Sequence, residues 1–315
     1  MTLRFPGLPL VLACAACAAQ QPAAAMDDAR ATNARAAARW TPDAWSTGQY
    51  ETTPTFSGDG ALAVFMRADR AFRRYRLMES RCVDGRWTRP REPAFSADTA
   101  MHDGDPFLAP DGKSLYFIST RHRFAEAGND DFDIYVVARD GDGNWGTPQR
   151  LPEPVNSDSS ELLPSVDRAG HLYFGSDRPG GHGGTDIYRA VRDAAGEWHV
   201  ATVASVNTPA NDFEADVSRD GSQLAVVSDR DVRSRIHLYR RNGDDWVPGL
   251  RIQGNDEVFQ VGPKFSPDGG RLLFGQDAGP ASGEIHLVDL AADADPAWPP
   301  RCEPADPLIQ PVTAD

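Results

Sequence analysis

The chain is poor in the residues that build metal and redox centres. Four cysteines occur in 315 residues, and two of them, Cys14 and Cys17, fall in an apolar leader. The other pair, Cys82 and Cys302, has no neighbouring histidine at metal-ligand spacing, and the seven histidines are scattered, so no metal site and no cofactor are expected. No G-x-S-x-G elbow occurs, which excludes that route to a nucleophilic serine. A glycine-rich phosphate loop is missing as well. No apolar run reaches the roughly 20 residues of a membrane-spanning helix. Positive charge is also short: 32 basic residues stand against 46 acidic ones, a net charge of −14, and the leader would take Arg4 with it. Such a surface disfavours nucleic acid and favours basic peptides or cations.

Turn formers are abundant, with 28 Gly and 25 Pro. They fall in a repeat of about fifty residues, a period that marks propellers or solenoids. The stretch Glu161 to Tyr188 shows the unit: an extended Pro164-Ser165-Val166, a turn at Ala169-Gly170, the apolar run His171 to Phe174, a glycine-rich loop, then Asp186-Ile187-Tyr188. The same turn recurs at Asp59-Gly60, Asp111-Gly112, Asp220-Gly221 and Asp268-Gly269, and each is followed by an apolar run. A tryptophan then marks the fourth strand: Trp87, Trp145, Trp198, Trp246 and Trp298. Five registers of four strands predict an all-β, five-bladed antiparallel β-propeller, with six blades as the alternative. Two segments, Trp298 and Trp40-Thr41-Pro42, compete to complete the last blade.

Three segments carry a resemblance: Phe265-Ser-Pro-Asp-Gly269, Ser176-Asp-Arg-Pro-Gly-Gly181 and Asp186-Ile-Tyr188. Together they resemble the TolB-like, WD-like periplasmic propeller repeat, from roughly Glu51 to Asp289. The resemblance implies a propeller fold and an envelope setting. TolB-type proteins carry six blades after an N-terminal α/β domain, whereas five blades are counted here, so their role is not implied whole.

The expected organisation is a signal peptide over residues 1–17, an alanine-rich tether over 18–39 and the propeller over 40–315. A lipoprotein signal is favoured, with lipidation at Cys17 (or Cys14), and the alternative is cleavage after Ala23-Ala24-Ala25. The setting is then the periplasm, with outer-membrane anchoring, and membrane contact only through that lipid. Cys82 and Cys302 are expected to form a disulfide across the seam between the first and last blades.

Two loops imitate cation sites. Asp140-Gly-Asp-Gly-Asn144 opens like a calcium loop, but Trp145 and Leu151 stand where Gly and Glu are required, so it reads as a polar hairpin. Asn129-Asp130-Asp131-Asp133 offers at most weak cation binding.

Aligning the blades gives the site expectation. Glu51, Asp103, Glu161, Asp212 and Gln260 open the five first strands and should ring one mouth of the channel. Arg121, Arg178 and Arg230 end second strands at the same mouth and should pair with them. Ala68 and Ala278 replace the arginine in blades one and five, so Glu51 should be the least neutralised. This ring predicts either a structural lock or a funnel for an envelope protein or peptide carrying a cationic group. The function expected is a non-enzymatic binding or assembly module. The alternative is a glycan-binding or glycan-hydrolysing propeller using the mouth carboxylates, disfavoured by their near symmetry and by Phe213 being the sole aromatic nearby.

Overall fold

The computed structural model describes residues 37–96, 102–121, 131–253, 257–277 and 283–302. The expected leader, its lipidation cysteines, nearly all of the tether, and Asn129 and Asp130 of the second loop lie outside them.

Five tight turns organise the described residues. Their glycines, Gly60, Gly112, Gly170, Gly221 and Gly269, take left-handed φ angles between 68° and 87°, where a β-carbon is penalised. The aspartate before each glycine supplies a cap in four of them. The amides of Ala61, Lys113, Ser222 and Gly270 donate to Asp59, Asp111, Asp220 and Asp268 over 2.8–3.0 Å. In the third repeat Ala169 cannot do this, and the His171 amide donates to Asp167 instead, over 2.9 Å.

Each turn joins two antiparallel strands: Tyr50–Phe56 with Leu62–Ala68, Asp103–Leu108 with Ser114–Ser119, Glu161–Val166 with Leu172–Ser176, Asp212–Val217 with Gln223–Ser228, and Gln260–Phe265 with Arg271–Asp277. Third strands follow at Tyr75–Val83, Asp133–Ala138, Asp186–Arg192, Arg235–Asn242 and Gly283–Asp289. Fourth strands in the first four repeats are Arg86–Trp87, Gln149–Arg150, Trp198–Thr202 and Asp245–Arg251. Trp145 does not open its strand as expected, because it meets Arg139 in an isolated bridge ahead of Gln149–Arg150.

The fifth repeat takes its fourth strand from the other end of the chain. Ala38–Arg39 pairs with Gly283–Asp289, Ala38 opposite Leu287 and Arg39 opposite His286. These two residues were expected in the tether; they are strand because the last third strand would otherwise present an open edge. A side-chain lock shows the equivalence. The Ile134 and Ile187 amides donate to the side chains of Asn156 and Asn207, and the Ile285 amide donates to Thr41 Oγ1, each over 2.7 Å. Trp298 lies in no strand and packs at the seam with Trp45, Phe65 and Leu273.

The described residues are therefore all-β, with three four-stranded sheets and one eight-stranded sheet. The eight-stranded sheet unites the first and last repeats through one parallel pair, Tyr50 opposite Gly283. The first strands touch one another in chain order, and the last returns to the first, which makes the arrangement propeller-like. The cores lie between neighbouring sheets, as where Ile118 and Ile134 pack on Leu172 and Phe174. The sheets approach closely: a β-carbon on Gly175 would sit 2.1 Å from the Phe213 carbonyl oxygen of the next sheet. Cys82 and Cys302 form a disulfide with Cα atoms 5.3 Å apart, tying the end of a third strand to the seam segment.

Candidate functional site

The five residues that open the first strands do not line a mouth. Glu51, Glu161, Asp212 and Gln260 are 0% exposed and Asp103 is 1% exposed. Each carboxylate is turned into a lock at the strand end. In the middle three repeats it faces a serine across the sheet: Asp103 opposite Ser119, Glu161 opposite Ser176, Asp212 opposite Ser228. An arginine two residues beyond folds back, donating from Nε to that serine and from Nη2 to the carboxylate. The Nη2 distances are 2.8 Å for Arg121–Asp103, 2.8 Å for Arg178–Glu161 and 2.6 Å for Arg230–Asp212. The Arg121 and Arg178 guanidinium planes also cover rings, Arg121 over Phe117 and Tyr135, Arg178 over Phe174 and Tyr188.

Glu51 is not left unneutralised. Its cross-strand partner is Arg67 itself, whose Nε lies 2.8 Å from Glu51 Oε1. The expectation failed because the arginine stands two places earlier than in the other repeats, opposite the carboxylate rather than beyond a serine. A hydroxyl completes each lock, from Thr47, Ser96, Ser157 and Thr208. The ring that repetition singled out is thus buried away from the channel.

The channel is lined by later positions of the first strands. At the end where those strands begin, a cavity of about 330 Å³ opens. Phe72, Tyr75, Phe132, Phe213 and Phe259 wall it with Met66, Ile118, Leu162 and Val261, and Asp105 and Glu214 supply its acidic groups. Four of the five rings form a continuous row. Ring centroids are 5.8 Å apart for Phe72–Phe259, 6.4 Å for Phe72–Tyr75 and 5.4 Å for Tyr75–Phe132. Phe213 was the one aromatic expected here. Phe72, Phe132 and Phe259 were missed because they come from connecting segments at unlike positions in the repeat.

Asp105 and Glu214 stitch neighbouring sheets while facing this cavity. The Leu163 amide donates to Asp105 Oδ2 over 3.2 Å, and the Gly262 amide to Glu214 Oε2 over 2.5 Å. Burial pushes the Asp105 carboxyl up to about 6, with Lys264 pulling the other way. Burial, and then the charge on Asp105, push Glu214 up to about 8. Near neutral pH the pair therefore holds about one proton. Lys264, one of two lysines in the chain, lies deeper, 3.5 Å from Asp216 and with its ammonium 4.8 Å from the Phe107 ring centroid. A second cavity, of about 310 Å³, opens at the turn end, lined by Gly58, Lys264, Arg219 and Trp298 among others.

These shifts carry a stability prediction. Folding raises both carboxyls above the ordinary 3.9–4.3, so their stabilising contribution is full below about pH 4. It is lost as the pH rises through about 6 and then about 8. Glu214→Gln removes the upper part of this slope and keeps an acceptor for Gly262. In urea unfolding it should gain roughly 1–2 kcal/mol on wild type at pH 9 and little at pH 5. An equal effect at both pH values would contradict the assignment.

Among the other expected sites, Asp140 closes its own hairpin, accepting from the amides of Asp142 and Asn144 over 3.0 and 2.8 Å.

No family model and no curated protein sequence matches the chain. Solved structures do. A putative TolB from Agrobacterium tumefaciens is 19% identical, with 74% of this chain covering 72% of that one at a TM-score of 0.49. TolB from Acinetobacter baumannii is 17% identical over 76% of this chain and 54% of its own, at 0.47. XC5397 from Xanthomonas campestris, described as a gluconolactonase, is 14% identical over 79% of this chain and 88% of its own, also at 0.47. The last of these overturns the expectation of a non-enzymatic chain: propellers of this outline include an enzyme, so the outline does not separate binding from catalysis. What the chain has in common with these structures is the outline of a TolB-like β-propeller.

Proposed function

We propose that the protein is an exported five-bladed propeller of the bacterial cell envelope, held near the outer membrane through Cys17 (or Cys14), that receives a partner protein or peptide at its aromatic mouth. The eight-stranded sheet counts as two blades, since a single pair of residues joins its halves. The observation that carries the binding site is the cavity walled by Phe72, Tyr75, Phe132, Phe213 and Phe259 over Asp105 and Glu214. A concave apolar surface with a few convergent polar groups of shifted pKa is what ligand sites are made of.

The same pair supports a second reading. Two carboxylates of unequal pKa beneath stacking aromatics suit glycan binding, or acid–base hydrolysis with Glu214 as acid and Asp105 as base. Both readings move the working groups from the buried ring to the channel.

The test is retention of partners from solubilised envelope by wild type and by the double variant Phe72→Ala, Phe259→Ala. The double variant should lose a partner that wild type and Val247→Ala, an exposed position on the fourth strand Asp245–Arg251, both retain. Equal retention by all three would remove the aromatic mouth as the docking site.

A further inference from the structure

The aromatic mouth has a chemistry more specific than an apolar groove. Three carboxylates, Asp105, Glu214 and Asp216, are gathered along one channel, and they are 4%, partly and 2% exposed respectively. Lys264 is the cation that acts on all three, and its ammonium sits beside Asp216 with the Phe107 ring at 4.8 Å. The channel thus already houses one lysine in the way an aromatic-and-carboxylate site holds an ammonium. The outer half repeats that chemistry, with the Phe72, Tyr75 and Phe259 rings near two further carboxylates.

We propose that this outer half binds a lysine side chain of the partner, its apolar stem along the aromatic wall and its ammonium between Asp105 and Glu214. The inference rests on the aromatic mouth being the docking site. A lysine fits better than a peptide N-terminus because four methylenes separate its ammonium from the peptide group. An α-ammonium would drag the adjacent carbonyl against Phe and Tyr rings, where nothing satisfies it. The walls also favour the long stem, which buries apolar surface while the charge stays paired.

Binding should displace the proton that Asp105 and Glu214 hold between them. The charged and titratable groups facing the pair are Lys264, Asp216 and the Tyr75 phenol, with Asp69 acting on Tyr75 from the adjoining loop. A free lysine stays charged to about pH 10, so affinity should rise between pH 5 and pH 8 as the carboxyls ionise.

The experiment is calorimetric titration of the folded protein with three probes: Nα-acetyl-lysine N-methylamide, its Nε-acetylated counterpart, and phenylalanine N-methylamide, which carries a free α-ammonium. The lysine probe should bind about tenfold more tightly than either of the others, and about tenfold less tightly to Glu214→Gln. Asp105→Asn gives a second variant, each checked for folding by circular dichroism. Equal binding of the Nε-acetylated probe, tighter binding of the α-ammonium probe, or no binding of the lysine probe to wild type would each overturn the proposal. None of these results alters retention of a partner by the Phe72 and Phe259 side chains, so the docking reading stands or falls separately.

Discussion

Reducing the Cys82–Cys302 disulfide, or replacing both cysteines by serine, should cost the fold about 3–5 kcal/mol. The bridge spans 220 residues, and closing so long a loop removes much of the entropy of the unfolded chain. Its position adds to the effect. The seam segment carries Trp298 into the core shared by the first and last repeats, where Trp45 and Phe65 meet Leu273 and Ile285. Without the bridge, Trp298 would be held by packing and by the Arg271 hydrogen bond to its carbonyl. Urea unfolding with and without reductant measures the loss directly. A change under about 1 kcal/mol would mean that the unfolded state is already compact or that the seam closes without help.

The second large effect belongs to the strand-end locks. Arg178→Ala should destabilise by about 3–5 kcal/mol, because Glu161 is fully buried and would lose its ionic partner. The same arginine also donates to the carbonyls of Pro154 and Val155 and covers Phe174. The penalty should depend on pH. Burial has already raised Glu161 to about 7, so at pH 5 the carboxyl takes a proton and the missing guanidinium matters less. At pH 8 the carboxyl has either to stay charged without its partner or to take up a proton, and both cost more than at pH 5. Glu161→Gln in the Arg178→Ala background should recover part of the loss at pH 8 and little at pH 5, as read by thermal unfolding at the two pH values. Charge reversal at Glu51 or Asp103 is expected to break the fold for the same reason, and it cannot serve as a test of binding.

Much of the architecture was legible because each repeat must solve the same problem. A left-handed turn needs glycine, a turn amide needs a carboxylate, and a buried strand needs an apolar run, so these features recur at a fixed period. The disulfide was legible because its two cysteines fall on opposite sides of the seam. Ala38–Arg39 was not, since two small or charged residues hold no strand signal; only the open edge of Gly283–Asp289 calls them into the sheet. Arg67 was missed because it stands opposite Glu51, two places before the position its counterparts hold, and an arginine can reach the carboxylate either from opposite it or from beyond a serine.

Repetition marks the locks rather than the site. Glu51, Asp103, Glu161 and Asp212 recur because every repeat needs a strand-end lock. The channel residues do not recur: Asp105 and Glu214 occupy the place held by Thr53, Leu163 and Gly262 in the other repeats. A ligand meets the ring at one place, so its site is built by breaking the symmetry that the fold maintains. Sequence periodicity filters out such residues, and the loop aromatics Phe72, Phe132 and Phe259 with them.

Site-specific photo-crosslinking in intact cells tests most directly whether partners meet the aromatic mouth. A benzophenone side chain placed at Phe72 or Phe259 samples that mouth, and one at Gly58 samples the opposite one, where no atom lies within 4 Å of an added β-carbon. Adducts from Phe72 and Phe259, absent from Gly58, are the expected result. Adducts from Gly58 alone would place the working surface at the turn end of the channel and contradict the assignment.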